Sequence, residues 1–224
     1  MIEVIPSLPA PTFAELEAKI GKVRGLVPAF QIDLCDGKFV PSVSWPMHPE
    51  DRPAFERIVS GEAALPYWQD FDFEIDIMAH HAEKLLPDWI QAGIVRALIH
   101  IETEHDFAAC VAVAEGKIEL GVALGIGTPV ERIDGYIEHI TVVQLMGIAT
   151  IGRQGQPFDP RVLDSIREVK KRYPDVTIEV DGAVNLRTAP DLVAAGATRL
   201  APGSYVLSAD DPKAAVKALK NLSS

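Results

Sequence analysis

Over 224 residues the chain carries 32 Asp and Glu against 21 Lys and Arg, a formal net charge of −11, with 48% hydrophobic residues. That length and apolar content can bury a substantial core, and no linker-like stretch offers a place to divide it, so residues 1–224 are expected to form a single domain. The acidic balance argues against nucleic acid or an anionic membrane surface as a partner.

From the N-terminus, short β-type runs alternate with helix-type segments. "EVIPS" (3–7) precedes an amphipathic stretch over 13–26, and "AFQID" (29–33) runs into the loop "LCDGKFVPS". "FEIDIM" (73–78) is followed by a helical pattern at 82–93, then "VRALIHI" (95–101), "LGVALG" (120–125) and "TVVQLM" (141–146). In the helical stretch 160–173, Val162, Ile166 and Val169 share one face, with Arg167, Lys170 and Lys171 turned outward. "TIEVD" (177–181), "TRLAP" (198–202) and a last helix over 211–222 complete the chain. The "DP" pairs at 159–160 and 211–212 each offer an N-cap candidate and an N1 proline.

The strand runs are mostly continuous apolar stretches, as expected of parallel strands covered on both faces. Eight strand–helix units in about 220 residues fit a (β/α)8 TIM barrel. A doubly wound open sheet also alternates, but no GxGxxG follows the first strand. Cys35 and Cys110 lack any paired spacing, so reduced thiols are expected. Met1 runs into "IEVIPS" without a leader-like segment, and no apolar run approaches the roughly 18 residues of a membrane span. A soluble, cytoplasmic protein is therefore expected.

Barrel chemistry sits at the C-terminal ends of the strands. Here those ends carry Ser7, Asp33, Asp76 with Met78, His100, Met146, Asp181 and Gly203-Ser204. A single such Asp is most simply a solvated or capping residue. Three together are harder to leave unexplained, because two carboxylates about 4 Å apart repel by roughly 4 kcal/mol at an effective dielectric of 20. A cation, a proton or a basic side chain has to offset that repulsion. Glycine-containing loops follow the last three strands: "GRQGQPF" (152–158), "DGAVN" (181–185) and "GSYVLS" (203–208). Such loops recur as phosphate cradles in barrels.

These residues carry a family resemblance. "PSLPAPTFAELE", "IDLCDGKFVPS", "DIM", "LMGIATIGRQGQPF", "EVDGAVN" and "GSYVL" occur in an order that resembles ribulose-phosphate 3-epimerase over nearly the whole chain. The resemblance implies that Asp33 and Asp181 are opposed acid/base carboxylates that invert a sugar carbon through an enediolate. It further implies that Ser7, Met78 and Met146 line the sugar pocket, although core packing explains the methionines equally well. Backbone groups of Gln154, Gly155, Gln156, Gly182, Ala183, Gly203 and Ser204 would hold the phosphate. The expected partners are a phosphorylated sugar and further copies of this chain.

The family's metal site, two His and two Asp, is altered. Gln31 and Asp76 stand at the two His positions. Gln31, Asp33, Asp76 and Asp181 make an all-oxygen set that suits Mg²⁺ or Mn²⁺ better than Zn²⁺. A metal-free site, with Arg153 folded over the carboxylates, is the competing account. His80 and His81 are expected to cap or open the next helix rather than replace the lost ligands. Two other functions stay open: a phosphosugar lyase or decarboxylase, although "DLCDG" lacks the lysine of one such arrangement, and a non-catalytic binder with a decayed metal site.

Overall fold

The apolar runs become strands of one parallel sheet in the computed structural model, which describes residues 2–153 and 155–222. The strands are β1 (Glu3–Val4), β2 (Ser7–Leu8), β3 (Ala29–Cys35), β4 (Asp72–Met78) and β5 (Ile94–His100). They continue as β6 (Glu119–Leu124), β7 (Val142–Met146), β8 (Thr177–Asp181) and β9 (Arg199–Ala201). The spatial order is β1-β9-β8-β7-β6-β5-β4-β3-β2, so the two ends of the sheet are successive halves of the N-terminal strand. Ile5 donates to the Leu200 carbonyl at 2.9 Å, while the Pro6 carbonyl accepts from Gln31 at 2.9 Å. Beyond Pro6 the Ser7 N–H still reaches the Pro202 carbonyl at 3.4 Å, so this N-terminal segment pairs on both sides. That double pairing closes the (β/α) barrel, and the one strand expected over 3–7 is divided into two short ones.

The helices are α1 (Phe13–Val23), α2 (Arg52–Val59), α3 (Ala82–Gln91), α4 (Phe107–Ala114), α5 (Val162–Arg172), α6 (Ala189–Ala195), α7 (Ser204–Leu207) and α8 (Pro212–Lys220). Side-chain caps start several of them by satisfying first-turn N–H groups. Thr12 accepts from Glu15, Asp106 from Ala109 and Asp211 from Ala214. At the other "DP" pair the Asp159 carboxylate accepts from the Arg161 backbone N–H at 3.1 Å, as a capping residue does, and also faces the Arg161 guanidinium; the regular α5 begins at Val162. The expected apolar face of α5 is buried through Val162, Ile166 and Val169. Among the described residues no helix is long and apolar enough to cross a membrane.

Period-2 alternation gives the strands two different jobs. On β3, Phe30, Ile32 and Leu34 join the main core beneath the helices, while Gln31 and Asp33 enter the barrel interior. That interior is polar at both levels. Asp33, Asp76 and Asp181 lie toward the strand C-termini. Nearer the N-termini, Glu74 and Glu179 are fully buried with Arg96 and Arg199 beside them. The upper group closes the apolar runs and is legible in the sequence, whereas Glu74 and Glu179 lie within the runs and are not.

Candidate active site

Strand register brings the carboxylates together. Asp33 pairs across β3–β4 with Asp76, and Met146 pairs across β7–β8 with Asp181. Ligand oxygens of Asp33, Asp76 and Asp181 all lie within 4.8 Å of one another, and all three side chains are buried. Burial, followed by the charges of Asp181 and Asp76, pushes the Asp33 carboxyl well above the ordinary range. Burial and the Asp76 charge raise Asp181 to about 7, against relief from the Ser7 hydroxyl and the Gly182 N–H. Ser7 Oγ donates to Asp181 Oδ1 at 3.0 Å. The Gln31 amide donates to Asp33 at 2.9 Å, and the Gln144 amide donates to Asp76 at 3.0 Å.

The basic group set against this cluster is His100. Its Nε2 lies 3.3 Å from Asp76 and its Nδ1 3.5 Å from Glu102. Burial alone would depress the imidazole pKa, but the Asp76 and Glu102 carboxylates outweigh it and hold it at about 10. Glu102 is itself anchored by Gly125 and Thr128. Arg153 is exposed, and among the described residues it pairs with none of the carboxylates. Among the described residues the basic side chain beside the carboxylates is His100 rather than the Arg153 of the metal-free account, a placement that sequence spacing alone does not reveal. His81 opens α3 at its N-cap, as expected, and His80 accepts from the Glu104 N–H. Neither joins the carboxylates.

The two acids of "IDLCDG" part company here. Asp33 points inward, whereas Asp36 builds the loop by accepting from the N–H groups of Lys38, Phe39 and His80. This sets the Phe39 ring 5.3 Å from His100. Ser44 accepts from the Cys35 N–H and donates to the Asp33 carbonyl, which fastens the loop to the end of β3. Ser42 donates to the Gly152 carbonyl and so ties this loop to the one after β7. Cys35 and Cys110 are free and buried.

Above the carboxylates opens a cavity of about 610 Å³. Ser7, Met78, Met146, Asp33 and Asp181 line it, together with Gly155, Gln156, Gly182, Ala183, Gly203 and Ser204. Gln154, expected in the same cradle, lies outside the described residues. Gln31 and Asp76 are fully buried beneath the cavity rather than in its wall. Ala183 holds a left-handed φ of 55°, a conformation that ordinarily favours glycine, and so keeps the backbone path of a glycine loop. Gly147 lies against this cradle: its N–H donates to the Asp181 carbonyl at 2.6 Å, and a Cβ there would strike the Gly182 carbonyl. Gly147→Ala is therefore expected to cost about 1–3 kcal/mol in urea unfolding. Unchanged stability would show that the Gly182 backbone can move aside.

The donor set fits a hard divalent cation. Beyond the three carboxylates, Gln31 Oε1 is buried without a hydrogen-bond partner, while Asp76 Oδ1 faces His100 Nε2 at 3.3 Å. All-oxygen coordination suits Mg²⁺ or Mn²⁺.

Comparison with known proteins identifies the family and the fold. A family model described as the ribulose-phosphate 3 epimerase family matches residues 3–207. Ribulose-phosphate 3-epimerase of Bacillus subtilis is 33% identical, covering 98% of this chain and 99% of its own. That of Schizosaccharomyces pombe is 28% identical, covering 98% and 92%. Among solved structures, KGPDC from Streptococcus mutans has a TM-score of 0.69 at 11% identity, covering 99% of this chain and 96% of that one. The 3-hexulose-6-phosphate synthase of Salmonella typhimurium has a TM-score of 0.68 at 18% identity, covering 99% and 98%. At those identities the structural matches establish the shared barrel.

Proposed function

This chain belongs to the ribulose-phosphate 3-epimerase family, a family of isomerases, and on that premise we propose that it is a single-domain 3-epimerase of ribulose 5-phosphate or a close relative. The observation that carries the reading is the placement of Asp33 and Asp181. They come from β3, which adjoins the N-terminal strand, and from β8, which is separated from that strand by β9, and both line one cavity. Inversion at carbon requires proton removal on one face and delivery on the other, which a single base cannot do. The elevated Asp33 and Asp181 suit a pair in which one member holds a proton while the other accepts one near neutral pH. In this mechanism one carboxylate takes the proton alpha to the ketone. The enediolate so formed is then protonated by the other carboxylate on the opposite face. Ser7 orients Asp181, Gln31 orients Asp33, and Met78 and Met146 flank the sugar as apolar walls. The loops at 155–156, 182–183 and 203–204 hold the phosphate through backbone N–H groups. A divalent cation held by Asp33, Asp76, Asp181 and the Gln31 amide oxygen would supply Lewis-acid stabilisation of developing negative charge.

The test is conversion of ribulose 5-phosphate to its C3 epimer by the purified protein, with and without added Mn²⁺. Absence of conversion under both conditions overturns the reading. The carboxylate pKa values add a separate prediction. Because burial and neighbouring carboxylates raise Asp33 and Asp181, protons compete with the cation below pH 7. Mn²⁺ binding is expected to weaken about tenfold or more from pH 8 to pH 6, with protons released on binding. Calorimetry in two buffers of different ionisation enthalpy measures both quantities. Equal affinity at the two pH values would place the cation elsewhere.

A further inference from the structure

We propose that Arg187 and Arg153 read the anionic end of the substrate, fixing a phosphate dianion and setting the preference for phosphorylated over neutral sugars. The inference rests on the sugar-phosphate reading above. It starts from a census of guanidinium groups in a chain of net charge −11 with eleven arginines. Eight of them pair with Asp or Glu side chains, and Arg132 donates to the Ile101 carbonyl. For Arg153 and Arg187 alone, the guanidinium has no partner among the described residues, and both line the same cavity as the carboxylates. In so acidic a chain, two uncompensated guanidiniums at one cavity match a ligand that brings its own negative charge.

The segment carrying Arg187 is built to hold it there. Asn185 Oδ1 accepts from the Arg187 N–H at 2.9 Å, while Asn185 Nδ2 donates to the Ala183 carbonyl at 2.8 Å. Thr188 Oγ1 donates to that same carbonyl at 2.8 Å and accepts from the Asn185 N–H at 3.1 Å. The backbone from 183 to 188 is thus cross-braced by two short side chains, which fixes the base of the Arg187 side chain.

The charge layout also orients a ligand. Carboxylates in the cavity wall repel a phosphate, and the protein's overall field opposes an approaching dianion. Guanidiniums lining the same cavity counter that sign and offer planar, bidentate donors to phosphate oxygens. A phosphorylated sugar is then held with its phosphate toward the arginines and its carbon chain toward Asp33 and Asp181.

The test is steady-state kinetics on ribulose 5-phosphate for wild type, Arg153→Gln, Arg187→Gln and the double variant, with inorganic phosphate as a competitive inhibitor. Each single variant is expected to raise KM and the phosphate inhibition constant about tenfold. The double variant should raise them about a hundredfold, with kcat within about twofold of wild type, since about 1.4 kcal/mol of lost binding is tenfold. The salt dependence of KM should flatten in the double variant. A double variant within about twofold of wild type in both constants overturns the proposal. If wild type shows no epimerase activity, the sugar-phosphate reading falls instead. Calorimetric titration with inorganic phosphate then decides: binding lost in the double variant supports the anion readers, and binding unchanged removes them.

Discussion

Asp33→Asn and Asp181→Asn are each expected to lower kcat on ribulose 5-phosphate by roughly 10² to 10⁴, the range of a single general acid or base. Asn keeps the shape and one carbonyl oxygen, so the Gln31 and Ser7 hydrogen bonds to these positions can persist. The two losses should be far from additive, because both groups serve one turnover. Stability separates this outcome from misfolding. Both carboxyls are held above their unfolded pKa by burial and by neighbouring carboxylates, Asp181 and Asp76 for Asp33 and Asp76 for Asp181, so a neutral amide relieves repulsion. In metal-free protein each variant should unfold at the same or higher urea concentration than wild type, most visibly above pH 7. Below the unfolded carboxylate pKa, where the wild-type groups are already protonated, the difference should vanish. Phosphate affinity should change little. In D₂O, wild-type product should carry deuterium at the inverted carbon. Wild-type rates in both Asn variants, or product without deuterium, would exclude the two-carboxylate mechanism.

Arg96→Met is expected to produce the largest loss of stability, about 3–5 kcal/mol, by leaving Glu74 buried without its cation. Arg96 Nη1 lies 2.7 Å from Glu74, with side-chain exposures of 10% and 0%, and the same guanidinium reaches Glu119 at 2.8 Å. Against domain stabilities of about 5–15 kcal/mol, such a loss is a large fraction of the total. Glu74→Gln placed in the Arg96→Met background should recover much of it, since the uncompensated charge is then absent. The pH dependence has a definite sign. Burial already raises the Glu74 pKa against the pull of Arg96, and removing Arg96 raises it further. The deficit should therefore grow as pH rises above the unfolded carboxylate range and shrink on acidification. A deficit that is independent of pH and not rescued by Glu74→Gln would point to lost packing of the arginine stem instead.

Local chemistry determined a good deal of this protein from the chain alone. Continuous apolar runs such as Phe30, Ile32 and Leu34 specify strands covered on both faces, and Asp211 with Pro212 specifies the start of α8. Asp33, Asp76 and Asp181 were legible because they end such runs, where a barrel places its chemistry. These signals survive in sequence because they depend on periods of two or 3.6 residues and on nearest neighbours. Closure of the barrel decided what neighbours in sequence cannot encode. Ser7 meets Asp181 across 174 residues and Arg199 meets Glu3 across 196, because the N-terminal strand pairs with the last strand of the sheet. The pairing of His100 with Asp76, the ion pairs at the barrel floor and the unpaired state of Arg153 and Arg187 follow from that same closure. A charge's partner is set by distance in space and by burial, and both come into being when the ring of strands is complete.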